Sequence, residues 1–312
     1  MSLGEHVRTL GRGPGRSRSL TREEAADAMH LMLRRETAPE ATGALLMLLR
    51  MKGETADEIA GFAEAAQQDM LQLPQVDLDW PSYAAGRTRG APWFLRAAKL
   101  VAQAGHRVML HGWNGADPKV RAGLTQVGIG VAQTPQMAET YLARDNIVYL
   151  PLENMHPELF RLLCLRDVLH LRSCVNTVCR MLNPGAASAS VQGVFHPSYR
   201  LLQADAGAIL GWRSLSVIKG GGGEFERHPA KKIAAFGLRN GQTWEDQFAP
   251  LRDDTRRLSE PAAELGSLQD PSEFERDVIL GTLALALETL GDPDSMQTAR
   301  DLWTTLGASQ AA

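Results

Sequence analysis

Over residues 1–75 the apolar positions recur at helical spacing, with Leu45, Leu48 and Leu49 on one side of a single turn pattern. Three Thr-x-x-Glu pairs precede such runs: Thr21 with Glu24, Thr37 with Glu40, and Thr55 with Glu58. In each, the hydroxyl can accept the third backbone N–H of a helix while the carboxylate bonds back to the cap. Gly53 stands where a left-handed helix end is expected. The short links between these segments imply antiparallel packing.

From Val76 the pattern changes. Short apolar runs at residues 108–110, 147–150, 191–195 and 216–218 predict strands, separated by helical stretches such as 93–103 and 201–210. Strands alternating with helices predict an α/β fold with a mostly parallel central sheet covered on both faces. The expected organisation is a small all-helical domain, residues 1–75, joined to a larger α/β domain, residues 76–312. Residues 157–182 are again helical and are expected to pack onto the first domain. Beyond Thr243 the chain reads as mostly loop, followed by one helix near 274–290.

With 312 residues and 44% apolar side chains, the chain can bury a sizeable core without disulfides or a structural metal. It lacks the roughly 18 consecutive apolar residues that a membrane helix needs, and residues 1–18 lack the apolar segment of a secretory signal. Cys164, Cys174 and Cys179 have neither zinc spacing nor a CxxC pair, so small buried thiols in a reducing cytoplasm are expected. The eight histidines make no HxxxH pair, and no nucleophile–base–acid set is evident. The sequence therefore predicts no catalytic residue and no metal site, and it places the protein in the cytoplasm without membrane partners.

The net charge of −3 argues against nucleic acid, but its distribution is uneven. Residues 80–116 hold five bases (Arg87, Arg89, Arg96, Lys99, Arg107) and no acid, whereas residues 245–312 hold fourteen acids against five bases. The rings of Trp80, Tyr83, Trp93, Phe94 and Trp113 lie in the same basic stretch. Cations on a nucleic-acid backbone and exposed rings on unpaired bases, about 1–3 kcal/mol per base, would make a binding surface. For Trp93 and Phe94 the competing reading is burial at a helix start. A second basic set, which includes Arg161, Arg166, Arg172, Arg180, Arg200, Arg213 and Lys219, would extend the surface if it converged on the same cleft.

Residues 20–62 (LTREEAADAMHLMLRRETAPEATGALLMLLRMKGETADEIAGF), 97–112 (AAKLVAQAGHRVMLHG), 165–184 (LRDVLHLRSCVNTVCRMLNP) and 191–197 (VQGVFHP) are similar to the anthranilate phosphoribosyltransferases. The resemblance covers roughly the first 230 residues. It implies the anthranilate phosphoribosyltransferase and nucleoside phosphorylase-like fold, with a homodimer made through the N-terminal helices. The family's phosphate motifs depart. The GTGGD loop becomes DWPSYAAGRTRGAPW at 79–93, and NxST falls on Phe94, Leu95, Arg96 and Ala97. KHGNR becomes Leu110, His111, Gly112, Trp113 and Asn114, and the acidic pair that holds magnesium falls on Phe225 and Glu226. His111, Gly112, Arg166, Asn176 and Glu226 then form a vestigial ligand site, in which Arg166 matches the arginine that grips the anthranilate carboxylate.

LDWPSYA at 78–84, Pro92–Trp93 and VIKGGGGE at 217–224 resemble the YbiB-type subfamily, whose members share the fold but bind nucleic acid. On that resemblance the expected function is sequence-tolerant DNA or RNA binding by a homodimer, through Arg87, Arg89, Arg96, Lys99, Arg107, Arg172 and Lys219, with no cofactor. The alternative is a phosphoribosyl or other glycosyl transferase acting on an aromatic amine or base with altered recognition, which would need phosphoribosyl pyrophosphate and magnesium. The residues kept at Arg166 and His111 and the glycine run 220–223 support it. A third reading is an interaction module that dimerises and takes no ligand.

Overall fold

A computed structural model describes residues 1–13, 15–84, 90–115, 117–253 and 268–307. The chain opens with four helices: α1 (Leu3–Gly11), α2 (Arg22–Leu33), α3 (Pro39–Lys52) and α4 (Ala56–Gln68). Two of the three predicted capping boxes form, at Thr21 with Glu24 and at Thr55 with Glu58. The third does not. Pro39 occupies the first turn of α3, Ala38 is its cap, and the Thr37 hydroxyl bonds to that of Thr42 at 2.9 Å. A proline there is pre-set for the helix and needs no hydroxyl cap.

The α/β part begins with β1 (Leu78–Ser82) and continues through α5 (Phe94–Gln103), β2 (Val108–Gly112), α6 (Lys119–Gln126), β3 (Gly130–Val131), α7 (Pro135–Asp145) and β4 (Ile147–Pro151). The helical return holds α8 (Leu152–Met155), α9 (Pro157–Cys164), α10 (Arg166–Leu169) and α11 (Val175–Arg180). Next come β5 (Ala189–Val194), α12 (Tyr199–Ile209) and β6 (Ser214–Lys219). After these follow β7 (Ile233–Arg239), β8 (Gln242–Phe248), α13 (Glu273–Leu290) and α14 (Ser295–Leu302).

One eight-stranded sheet runs in the order β3-β4-β2-β1-β5-β6-β7-β8. The pairings from β3 to β6 are parallel, and β7 and β8 add antiparallel strands at one edge. This is the predicted α/β architecture with a mostly parallel sheet. The hairpin β7–β8 replaces the loop expected beyond Thr243, and a second helix, α14, follows α13.

Among the described residues two large cores flank the sheet, with a small third cluster of Val194, Leu215, Val217 and Leu238. One joins the helical bundle to one face, so that Met29, Leu46 and Phe62 share a cluster with Leu159 and Leu162 of α9, Val175 and Val178 of α11, and Met109 and Val148 of the sheet. The other lies beneath α5 and α13 and holds Trp80, Phe94, Phe225, Ile279 and Leu283. Helix α13 is apolar nearly all round, as expected of a helix sunk in a core.

No helix among the described residues is long and apolar enough to cross a membrane. Cys174 and Cys179 are buried as expected, while Cys164 is only half-buried.

Candidate active site

In an open parallel sheet the carboxyl ends of the strands and the loops beyond them form the crevice where ligands bind. Here that edge gathers Ser82 to Ala84 at the end of β1, His111 to Asn114 at the end of β2, Phe195 after β5 and Gly220 to Glu226 after β6. Strands β1 and β2 approach so closely that a Cβ on Gly112 would stand 1.9 Å from the Ser82 carbonyl oxygen. Glycine is required at that position.

His111 lies fully buried under this edge. Its Nε2 is 3.0 Å from Asp79 Oδ1 and its Nδ1 is 2.8 Å from the Tyr83 hydroxyl. In the neutral ring the nitrogen facing the carboxylate is the donor, so Nε2 donates to Asp79 and Nδ1 accepts from Tyr83. Ser190 donates to the other Asp79 oxygen at 2.7 Å. Burial raises the Tyr83 phenol well above its ordinary pKa, so it stays protonated and keeps donating. Both ring nitrogens are used inward, and His111 props the strand ends together.

Above this layer Glu224, also fully buried, accepts three hydrogen bonds on one oxygen. The donors are the Ser82 hydroxyl at 3.0 Å, the Ala84 N–H at 3.1 Å and the Asn114 amide at 3.2 Å. Two residues on, Glu226 accepts the Phe94 N–H at the start of α5 at 3.2 Å. Phe225 between them turns into the core, edge-on to Trp80 at 5.5 Å between ring centroids. The Phe225–Glu226 pair expected from the sequence is therefore not the acidic pair of this site. Glu224, which the motif comparison passed over, carries the carboxylate that faces the strand ends. Two acids flanking an apolar residue are the signal that points to it.

Beside these carboxylates a cavity of 490 Å³ opens between the bundle and the strand ends. Arg50 and Glu54 from the end of α3, Arg172, Asn176 and Arg180 from the α10–α11 region, and Phe195 and Tyr199 line it. Arg180 spans the floor, donating to Asn176 Oδ1 at 2.6 Å and to the Gly193 carbonyl at 3.1 Å. Asn176 in turn donates to the Tyr83 carbonyl at 3.3 Å. Burial lowers the Arg172 pKa from its ordinary value, and the charges of Arg166 and Arg50 act in the same direction. Three guanidinium groups thus share one region, a field that an anion relieves.

The other predicted residues scatter. Arg166 is half-buried outside the cavity lining, its guanidinium 5.7 Å over the Trp113 ring and 3.7 Å from Asp167. Arg96 is buried in α5, facing Trp303 at 6.0 Å, and Lys99 donates to the Gly128 carbonyl at 3.1 Å. Arg107 precedes β2, at the amino ends of the strands, away from the carboxyl ends, and pairs with Glu139 at 3.2 Å. Lys219 is exposed at the end of β6. Arg87 and Arg89 lie outside the described residues. Trp80, Tyr83, Trp93 and Phe94 are at most 2% exposed, and Trp113 packs edge-on against Phe160. The described site cations therefore do not form one groove, and four of the five rings have no face for a base.

Residues 5–70 match the helical bundle domain of the glycosyl transferase family. Among curated relatives, the anthranilate phosphoribosyltransferase of Metallosphaera sedula is 28% identical over 69% of this chain and 63% of its own length. That of Nitrobacter hamburgensis is 28% identical over 94% of this chain and 92% of its own. Among solved structures, the anthranilate phosphoribosyltransferase of Saccharomyces cerevisiae in complex with PRPP and Mg superposes with a TM-score of 0.80 at 16% identity, over 99% of this chain and 94% of that one. The fold is that of the anthranilate phosphoribosyltransferases.

The likeness to these relatives overturns the expected nucleic-acid function, because they are anthranilate phosphoribosyltransferases. Within the anthranilate phosphoribosyltransferase fold, however, the described residues do not fit a magnesium-bound pyrophosphate. Glu224 and Glu226 are turned to different backbone donors, and no cluster of three or more His, Cys, Asp or Glu among the described residues could hold a metal ion.

Proposed function

We propose that the protein is a glycosyl transferase of the anthranilate phosphoribosyltransferase type whose acceptor is an aromatic amine or base, with altered substrate recognition. The relatives support this reading. The observation that carries it is the 490 Å³ cavity at the carboxyl edge of the parallel strands, walled by Arg50, Arg172 and Arg180 and by the rings of Phe195 and Tyr199. A cavity of this size suits a small flat molecule. The aromatic wall would bury its ring, and the guanidinium groups would hold a carboxylate or phosphate on it.

Under this reading Asn176 and Arg180 are positioning residues. Their mutual hydrogen bonds and those to the Tyr83 and Gly193 carbonyls fix the cavity floor to the ends of β1 and β5. The N-terminal helices are proposed to make the dimer contact, which sedimentation velocity would read.

Turnover tests the proposal: phosphoribosyl pyrophosphate is mixed with a panel of aromatic amines and nitrogen bases, and pyrophosphate release is followed. The expected result is release that depends on one acceptor class. Arg172→Ala should raise the acceptor KM by about 10- to 100-fold, the worth of one hydrogen bond to a charged group. Absence of release with every acceptor, alongside no calorimetric binding of any of them, would overturn the reading.

A further inference from the structure

The carboxyl end of β1 and the loop after β2 aim three donors at one point: the Ser82 hydroxyl, the Ala84 N–H and the Asn114 amide. Convergence of hydroxyl, backbone and amide hydrogens from two strand ends is the construction that holds an oxyanion. The oxygen found there belongs to the chain itself. Glu224 Oε1 receives all three within 3.2 Å, in a place sealed from solvent.

The backbone that delivers this carboxylate is clamped. A Cβ on Gly193 of β5 would stand 2.0 Å from the Glu224 carbonyl carbon, and one on Gly220 would stand 1.6 Å from its carbonyl oxygen. Only glycine at both positions lets Glu224 come so close to β5 and β6. Arg180 beneath supplies the matching positive charge: burial lowers its pKa, and Glu224 acts in the opposite direction.

We propose that Glu224 is the resident occupant of an oxyanion seat at the ends of β1 and β2, so that the protein as it stands keeps phosphate and pyrophosphate out of that seat, and that vacating it creates an anion-binding site. An incoming phosphate meets the three donors already engaged, with a side-chain oxygen standing where its own would have to go. The proposal concerns the donor side of the transferase site and rests on that reading only for its location. It implies a donor held at this end by something other than its phosphates.

Calorimetric titration of the full chain with inorganic pyrophosphate is the test, because it does not depend on turnover. Glu224→Ala should bind pyrophosphate at least about tenfold more tightly than the wild type, the worth of recovering one charge-assisted hydrogen bond. Glu224→Ser empties the seat with a small polar side chain and should gain likewise, which keeps the experiment decisive if the alanine variant fails to fold. Glu224→Gln leaves the seat filled and should stay within about threefold of the wild type. Tight binding by the wild type, or no gain in folded seat-emptying variants, would overturn the proposal. So would an equal gain in Glu224→Gln. A gain in pyrophosphate affinity without turnover of any acceptor would sink the transferase reading and leave this one standing.

Discussion

Single side chains at the sheet edge show how burial decides roles that residue identity leaves open. His111 matches a motif position, yet Asp79 and Tyr83 engage both its nitrogens inside the protein. The spacing of residues along the chain carries no sign of that, because the partners come from β1 and the residue that follows it. The thiols offer a direct check at this scale. Burial raises the Cys174 thiol well above its ordinary value and that of Cys179 as well, whereas Cys164 is only half-buried and less perturbed. The thiolate is the reactive form. An exposed-thiol assay on the native protein should therefore label Cys164 first and leave the other two until denaturant is added. Equal labelling of all three in the folded protein would contradict the packing described.

Among the elements, helix ends were largely legible and four strands, β1, β3, β7 and β8, were not. Thr21 and Thr55 announce α2 and α4 through capping boxes because that chemistry is local. Strand β1 hides because it carries Asp79 and Pro81, residues disfavoured in a central strand, and only its parallel neighbours on both sides make it one. Strand β8 hides because its side chains are mostly exposed and polar, leaving no apolar alternation to read. The docking of α9 has a readable charge signature. Glu158 sits between Arg35, from the α2–α3 link, and Arg161; the hydrogen bonds from Arg35, then Arg161, draw its pKa from 4.5 down to about 2. Its folded value lies below its unfolded one, so this contribution is present above pH 4.5 and is lost as pH falls towards 2. Urea midpoints of wild type and Glu158→Gln should differ at neutral pH and converge over that window. The gap will be small, since the pair is partly solvated, but a gap that does not change with pH would refute the assignment.

For the molecule as a whole, the fold was legible and the surface was not. Alternation of strands and helices after Val76 gave the sheet, because burial imposes a period on the sequence. Charge imposes none. The acid-free stretch at 80–116 reads as one basic patch, yet Arg96 is buried in α5 and Arg107 stands at the amino ends of the strands. Residues close in sequence diverge once a strand carries the chain across the molecule. The shared core between bundle and sheet has a consequence for cooperativity. Leu159, Leu162, Val175 and Val178 fill the same cluster as Met29 and Phe62, so a fragment of residues 1–75 lacks part of its own interior. Such a fragment should melt broadly and bind a hydrophobic dye, while the full chain shows no dye binding at the same temperature. A sharp, cooperative transition in the fragment would show that the four helices hold their core alone.

The two ends of the sheet bear on how the protein behaves in a crowded solution. A sheet edge is a row of unused hydrogen-bonding groups on which another chain can grow. Here one edge is β3, a strand of two residues, and the other is β8, where Glu245 and Asp246 stand exposed. The first is too short to template a partner strand, and the second repels a copy of itself. An eight-stranded sheet thus stops at both ends, and the molecule is protected from edge-to-edge aggregation by length on one side and by charge on the other.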